Sequence, residues 1–210
     1  MENSLGGAGL RPYYAAMTSL DTFDSQRAEF GRRIRQLRRD NGWTLAELAR
    51  RSGLAISTIS KAERGLIALT YDRLSFLANG LGVDMSAFFT DSGESFAPGS
   101  FAVARRGEFE RQETANYVYE MLFPEVWNKS MRPMMGTLKA HDIHDFDEFV
   151  RHPGQEFLIV MEGVVTVHLE DRAPVRLEAG DSIYFDSAVG HLYASDGDRD
   201  ARILVVCTAG

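Results

Sequence analysis

The hydrophobic period of this 210-residue chain changes once, and this change constrains the fold more than any other feature. Before residue 90, apolar residues recur at helical spacing, as in Phe30, Ile34 and Leu37, which lie at i, i+4 and i+7. After residue 100 they alternate with a period of about two, in short runs separated by Gly, Asp and Pro. The two periods predict a helical domain followed by a β domain.

The segment between the two patterns, TDSGESFAPGS at 90–100, is rich in Ser, Gly, Pro and acidic residues and has little to bury. We therefore expect a linker at 91–105, between a helical domain at 25–90 and a β domain at 106–210. Residues 1–24 are rich in Gly and Ala without a sustained period, which predicts a flexible N-terminal tail.

Translation could begin at Met1 or at Met17. The first ten residues lack the basic and apolar regions of a secretory signal, and no run of about 18 apolar residues occurs. Cys207 is the only cysteine, so no disulfide can form within the chain. These features predict a cytoplasmic protein that does not associate with a membrane.

Charge is distributed unevenly along the chain. The net charge is −7, but residues 25–90 hold 11 Lys and Arg against 6 Asp and Glu, whereas residues 91–210 hold 11 against 21. A basic region in an acidic protein suits phosphate binding. We therefore expect the two domains to have different partners.

Glycines and capping residues divide the helical domain into five predicted helices. The first begins near Ser25 and stops at Asn41-Gly42, and Thr44 to Glu47 has the Thr-x-x-Glu form of a capping box for the second. The third runs from about 56 to 64, the fourth opens near Thr70, and Asp84 is placed to cap a short fifth.

The stretch TLAELARRSGLAISTISKAERG at 44–65 resembles the DNA-binding unit of lambda-repressor-like, xenobiotic-response-element (XRE) regulators. The resemblance includes Ala49, the turn residue Gly53 and the closing Glu63-Arg64-Gly65, and it extends over residues 25–90. It implies a five-helix domain that binds operator DNA as a homodimer. A protein-interaction module with a solvated arginine-rich face is the alternative.

By this resemblance, the third helix enters the major groove. Its outer face could read base edges through Ser57 and Lys61 and touch a thymine methyl through Ile56, while Thr44 could contact a phosphate. The expected DNA-binding residues are Thr44, Ile56, Ser57, Lys61 and Arg64.

Two motifs of the β domain resemble the cupin family, whose fold is a double-stranded β-helix or jelly-roll barrel. His152 to Gly163 follows the family's first motif, with Val150 in place of its leading His. Gly180-Asp181 and a later His191 follow the second, with Asp186 and Ala188 at its usual Pro and Gly.

The resemblance implies that His152, Glu156 and His191 converge inside the barrel. Two imidazoles and a carboxylate suit Fe(II), Mn, Ni or Zn with open positions for a ligand. An apo pocket for a small molecule, or a barrel that only dimerises, is also open from the residues. Arg and Tyr side chains suit an anionic effector, and the expected ligand-binding residues are Arg111, Tyr117, Tyr119, Arg132 and Tyr184, with Tyr193 beside them.

The combination resembles a ligand-responsive bacterial transcription regulator with a cupin sensor. The alternative is a non-haem iron cupin enzyme of the hydroxypropylphosphonate epoxidase type, whose phosphonate-binding arginine falls at Arg111. That enzyme's helical-domain lysine falls at Gly42 and its active-site asparagine at Phe149, which counts against the alternative. A purely dimeric scaffold would leave the His and Glu set unexplained.

Overall fold

The computed structural model describes residues 20–90 and 94–208, with side chains described from Arg27 onwards. Residues 1–19, with Met1, Met17 and most of the predicted tail, lie outside the described residues. The first domain contains α1 (Leu20–Asp40), α2 (Leu45–Ser52), α3 (Ile56–Glu63), α4 (Tyr71–Leu81) and a 3₁₀ helix (Met85–Phe88).

Two details of the helical prediction are corrected. α1 begins at Leu20 rather than Ser25, since Leu20 and Phe23 continue the apolar spacing of the helix. The part of the chain that the structure describes has four α-helices, not five, and the fifth element is a single 3₁₀ turn. It is short because the polar linker follows Phe89 almost at once and offers nothing further to bury.

The helical core consists of apolar residues contributed by every helix. Ile34, Leu48, Ile59, Leu74 and Leu77 are completely buried. A Cβ atom on Gly80 would lie 2.8 Å from the Cα of Ser52, so only glycine lets α4 approach α2 this closely. The helices therefore form one packed unit.

A buried ion pair holds the end of α3 against α1. Arg38 Nε and Nη2 donate to Glu63 Oε1 and Oε2 at 2.5 and 2.8 Å, and both side chains are nearly inaccessible. This bidentate pair gives Glu63, the first residue of the closing Glu63-Arg64-Gly65, a structural role. Its carboxylate neutralises the Arg38 guanidinium inside the domain.

The capping prediction for α2 is half right. Thr44 Oγ1 accepts from the Glu47 backbone N–H at 3.1 Å, as expected of an N-cap, but the Glu47 carboxylate pairs with Arg50 and Arg51. Gly53 ends the helix with φ +73°, a conformation that favours glycine.

The second domain consists of β-strands with a single 3₁₀ turn at Ile143–Asp145. The strands are β1 (Glu94–Ser95), β2 (Phe109–Glu113), β3 (Tyr117–Leu122), β4 (Val126–Trp127), β5 (Met131–Leu138), β6 (Gln155–Glu162), β7 (Val164–Leu169), β8 (Val175–Glu178), β9 (Ser182–Asp186), β10 (His191–Ser195) and β11 (Ala201–Thr208).

Two antiparallel sheets form a jelly roll. One has the order β2-β3-β5-β11-β6-β9 and the other β10-β7-β8, and their inward-facing residues, such as Leu158, Val165 and Ile203, form the barrel core. The short alternating runs expected after residue 100 are present as strands β3, β5, β6, β7, β8, β9 and β11. β2 and β10 were not predicted, because Arg111 to Glu113 are polar and all five residues of β10 are buried, so neither strand alternates.

The two domains contact each other directly. Asp84 Oδ2 accepts from the Asn128 backbone N–H at 3.3 Å, Ser86 Oγ donates to the Val126 carbonyl at 2.9 Å, and Arg73 pairs with Glu148 at 3.0 Å. β1 lies in the predicted linker and pairs with β4 of the barrel. No helix among the described residues is both long enough and apolar enough to cross a membrane.

Candidate functional site

Three buried side chains converge on one carboxylate oxygen of a fourth buried residue, Glu156, inside the barrel. Glu156 Oε2 lies 3.0 Å from His152 Nε2, 3.6 Å from His191 Nε2 and 3.4 Å from Cys207 Sγ. The fold brings them together because Glu156 and Cys207 are cross-strand partners on β6 and β11, while His152 precedes β6 and His191 opens β10. The sequence predicted three of these residues.

Backbone carbonyls orient the two imidazoles. His191 Nδ1 lies 2.9 Å from the Val189 carbonyl oxygen, and His152 Nδ1 lies 3.4 Å from that of Pro153. Since a carbonyl oxygen accepts but does not donate, the Val189 carbonyl holds a proton on Nδ1 of His191 and turns Nε2 toward Glu156. Outer hydrogen bonds of this kind accompany metal-ligating histidines.

A tyrosine holds the other oxygen of the carboxylate. The Tyr193 hydroxyl donates to Glu156 Oε1, and the Tyr117 hydroxyl both donates to the Tyr193 carbonyl at 3.1 Å and accepts from the Tyr193 N–H at 3.0 Å. Oε2 is thereby left to face the imidazoles and the thiol.

Burial and charge shift the protonation of the cluster. Burial raises the pKa of Glu156, but the hydrogen bond from His152, the charge of His191 and the Tyr193 hydroxyl outweigh it and lower the pKa overall. Burial lowers the pKa of His191 against the attraction of Glu156, and burial raises the pKa of the Cys207 thiol well above its usual value. Burial likewise raises the pKa of Tyr71, Tyr117 and Tyr193, so these phenols stay neutral donors.

The donor set fits a metal ion of intermediate softness. His152, Glu156 and Cys207 each offer one ligand atom, and these atoms all lie within 4.8 Å of one another. Ligands bound at about 2.0–2.3 Å to one ion lie about 3–3.7 Å apart, which matches the separations from Oε2. Imidazole, carboxylate and thiol together suit Zn, Fe or Ni better than Mg or Ca.

The cluster faces a small cavity of about 30 Å³. A cavity needs roughly 10–15 Å³ to hold one water molecule, so the space accommodates a single ion or one to two waters. Its polar lining consists of Tyr71, Tyr117, Tyr119, His152, Glu156, His191, Tyr193 and Cys207.

The predicted effector residues lie in four different places. Tyr117 and Tyr119 line the cavity, with ring centroids 5.4 Å apart. Arg132 lines a neighbouring cavity between the domains, and Arg111 lines an outer cleft between them. Tyr184 lies on the outer face of β9, 64% exposed, with its hydroxyl on Gln155, so it does not reach the cavity.

Two residues that line the cavity, Cys207 and Tyr71, were not predicted from the sequence to belong to the site. Cys207 shares the buried face of β11 with Ala201, Ile203 and Val205, which carries it into the barrel. Tyr71 belongs to the helical domain, and no local signal connects it with the barrel. His141 and His144, by contrast, lie on an exposed loop, where His141 pairs with Asp200.

A second candidate site is the outer face of α3. All five residues predicted to contact DNA are exposed: Thr44, Ile56, Ser57, Lys61 and Arg64. Ile56, at the start of the helix, is 49% exposed, which is unusual for an isoleucine on a packed helix. Ile59 and Ala62 point the opposite way and are completely buried, so the polar face of α3 is free for a partner.

Comparisons with known proteins agree with both halves of the fold. Residues 34–88 match the helix-turn-helix (HTH_3) family and residues 144–207 match the cupin domain family. None of the curated proteins matches the chain closely enough to be a relative.

Among solved structures, the chain is similar to an HTH_3 family transcriptional regulator from Vibrio cholerae. The identity is 22%, the TM-score 0.62, and the match covers 90% of this chain and 100% of the other. It is also similar to hydroxypropylphosphonic acid epoxidase from S. wedmorenis, at 23% identity and TM-score 0.48, covering 86% and 97%. At these identities the first match establishes a shared fold and no shared activity. The chain thus joins a segment that matches the helix-turn-helix (HTH_3) family to a segment that matches the cupin domain family.

Proposed function

We propose that this protein is a transcription regulator that binds operator DNA through its helix-turn-helix and senses a small ligand in the cupin barrel. The observation that carries the proposal is the exposed outer face of α3, where Ile56, Ser57 and Lys61 stand clear of the domain core. A helix-turn-helix presents such a face to the major groove. The proposed domains keep the boundaries 25–90 and 106–210, with the linker at 91–105.

The roles of the DNA-facing residues follow from their chemistry. Lys61 would reach a guanine or a phosphate, Ser57 a base edge, and Ile56 a thymine methyl. Thr44 keeps its hydroxyl hydrogen for a phosphate, since its oxygen accepts from the Glu47 N–H. Arg64 Nε donates to the Ser60 carbonyl at 3.1 Å, which leaves the remaining guanidinium N–H groups for the backbone of DNA.

The sensor half of the proposal rests on the cluster at Glu156. His152, Glu156 and His191 would hold a divalent ion, with Cys207 as a further ligand, and the sulfur favours Zn, Fe or Ni over Mn. A bound ion would supply Lewis acidity and open positions at which an effector could coordinate. Without an ion, the same groups would hydrogen-bond a small molecule directly.

A non-haem iron enzyme is the second candidate, because two His and one carboxylate are the ligand set of such enzymes. In this conformation about 30 Å³ leaves no room beside an ion for an organic substrate or for an organic effector, so the exposed outer face of α3, and not cavity size, favours the regulator. Iron-dependent turnover of a small acid or phosphonate, abolished in Glu156→Ala, would support the enzyme.

The regulator is expected to act as a homodimer on an inverted repeat. One helix-turn-helix reads only a few base pairs, so a second copy is needed for useful specificity. Half-sites should then lie about one helical turn, ~34 Å, apart if both recognition helices face one side of the duplex.

DNA binding can be tested by selecting binding sites from random duplexes with the full chain and measuring affinities by fluorescence anisotropy. Lys61→Glu should weaken binding about 10- to 100-fold and reduce its dependence on salt. Arg172→Glu is the matched control, because Arg172 is exposed on the barrel, on the turn between β7 and β8. Equal affinities for the two variants would refute the assignment of α3.

A further inference from the structure

Tyr71 belongs to one domain and forms a wall of the other domain's cavity. It is the first residue of α4, yet its side chain is 5% exposed and lines the barrel cavity beside the metal-binding cluster. Its ring centroid lies 4.9 Å from that of His152 in an edge-to-face contact. Burial raises the pKa of its hydroxyl, and the Arg132 guanidinium opposes this rise.

The same ring separates two cavities. The second cavity, also about 30 Å³, lies between the domains, and Tyr71 and Met134 are the two residues that line both. Two cationic side chains line the second cavity. Lys129 Nζ is fixed by hydrogen bonds to Ser86 Oγ and two carbonyls, whereas Arg132 Nη2 has its nearest carboxylate, that of Asp84, at 4.0 Å. Removal of the Tyr71 ring would join the donor cluster to these cations in one pocket.

Of the described residues that line the barrel cavity, Tyr71 alone comes from the helical domain. Met134 lies on β5 between β3 and β11, and the Tyr117 hydroxyl bonds to the main chain of Tyr193, so both belong to the framework of the sheets. Tyr71 makes no strand pairing, and only the contacts between the domains hold it in the barrel. Because α4 packs closely on α2 through Gly80, withdrawal of α4 from the barrel would carry the rest of the helical domain with it.

We propose that Tyr71 is a lid, and that a small organic carboxylate displaces it, occupies the joined pocket with its anionic group on Arg132, and releases the helix-turn-helix from the barrel. This inference rests on the proposed function and adds the class of effector and the way in which the barrel signals. A metal ion alone fits the existing cavity and leaves the lid closed. An organic effector is too large for that cavity, so its binding and the docked arrangement exclude each other.

Benzoate is a suitable probe, because its ring matches the Tyr71 ring in size and its carboxylate can pair with Arg132, which lines the second cavity. Binding to the full chain is measured by calorimetry, with neutral benzamide as the control ligand. Tyr71→Ala should bind benzoate at least tenfold more tightly than the wild type, since it leaves the pocket already open. Tyr71→Phe keeps the ring and should bind like the wild type, and Arg132→Gln on the Tyr71→Ala background should remove the preference for benzoate over benzamide.

Release of the lid can be measured separately, by hydrogen exchange at the domain interface. The Asn128 N–H donates across the domain interface to Asp84, so its hydrogen exchange should accelerate when benzoate saturates the wild type, while that of Leu204 in the central strand β11 should not change. If Tyr71→Ala does not fold, Tyr71→Leu provides the smaller side chain.

Equal benzoate affinities in the wild type and in Tyr71→Ala (or Tyr71→Leu) would overturn the lid. An unchanged hydrogen-exchange rate of the Asn128 N–H at benzoate saturation would also overturn it. These measurements contain no DNA. If the benzoate and exchange measurements fail while the wild type still binds DNA specifically, only the lid is refuted. If the wild type does not bind DNA specifically, the proposed function is refuted.

Discussion

Cys207 lies directly opposite Glu156 on neighbouring strands, and its Sγ is 3.4 Å from the Glu156 Oε2 that also faces two imidazoles. This pairing adds a sulfur donor to the set expected from the cupin motifs. It also allows the ligands to be tested by a spectroscopic signature that only sulfur provides.

We expect a cobalt(II)-loaded protein to show a sulfur-to-metal charge-transfer band in the near ultraviolet. Cys207→Ser should remove the band and retain weaker binding through His152, Glu156 and His191, because a hydroxyl is a poorer ligand than a thiolate. The combined change His152→Ala and His191→Ala should abolish metal content in elemental analysis. A wild-type spectrum without the band would show that Cys207 does not ligate.

The hydrogen bond from Tyr193 to the Glu156 carboxylate predicts that a residue outside the ligand set affects metal affinity. Tyr193→Phe frees Glu156 Oε1 and should reduce metal affinity by about 10- to 100-fold, as is typical for the loss of an outer hydrogen bond. Competition with a chelator measures this affinity. Tyr184→Phe is the matched control, since its hydroxyl bonds to Gln155 on the outer face of the barrel. A similar loss in both variants would point to a general structural effect.

The buried ion pair in the helical domain predicts a loss of stability without a loss of DNA contacts. Glu63→Gln leaves the Arg38 guanidinium buried and uncompensated, and should lower the free energy of unfolding by about 3–5 kcal/mol. Urea denaturation followed by circular dichroism at the helical band measures this change. Glu47→Gln removes a carboxylate from an exposed pair with Arg50 and should cost far less, because exposed pairs contribute little.

The loop pair His141–Asp200 predicts a pH-dependent contribution to stability. The hydrogen bond to Asp200 raises the pKa of His141 above its ordinary 6.5. Because the folded-state pKa is the higher one, the stabilisation is complete below the unfolded pKa and disappears as the pH rises through the folded pKa.

Asp200→Asn should therefore lower the melting temperature more at about pH 5.5 than at about pH 8.5, and it should lower the pKa of His141 in an NMR titration. His144→Gln, on a side chain that is 92% exposed, is the control. An equal shift in melting temperature at both pH values would contradict the assignment.

Exposed apolar side chains within the predicted linker are consistent with the expected dimer. Phe96, Phe101 and Val103 are 49%, 85% and 54% exposed within eight residues of chain, a density that favours contact with a partner. Phe101→Asp should weaken self-association of the full chain, measured by sedimentation equilibrium, whereas Val175→Asp on β8 should not. A wild-type monomer at all concentrations would contradict the dimer.

Local structure and the order of the domains follow from the sequence, because they depend on interactions between near neighbours. The helical spacing of Phe30, Ile34 and Leu37, the cap at Thr44 and the stop at Gly53 each act within a few residues. The spacing of His152 and Glu156 could be matched to a motif for the same reason. Burial of Ile59 and exposure of Lys61 follow from the helical period alone.

Strand phase and contacts between domains were decided by the tertiary structure. Alternation along β9 does not say which set of residues points inward, and the pairing with β6 puts Ile183 and Phe185 inside and Tyr184 outside. Cys207 meets Glu156 only because β11 pairs with β6, and Tyr71 enters the barrel only because the domains dock. A sequence period records the alternation of environments along one element, whereas the identity of the opposing surface depends on residues far away in the chain.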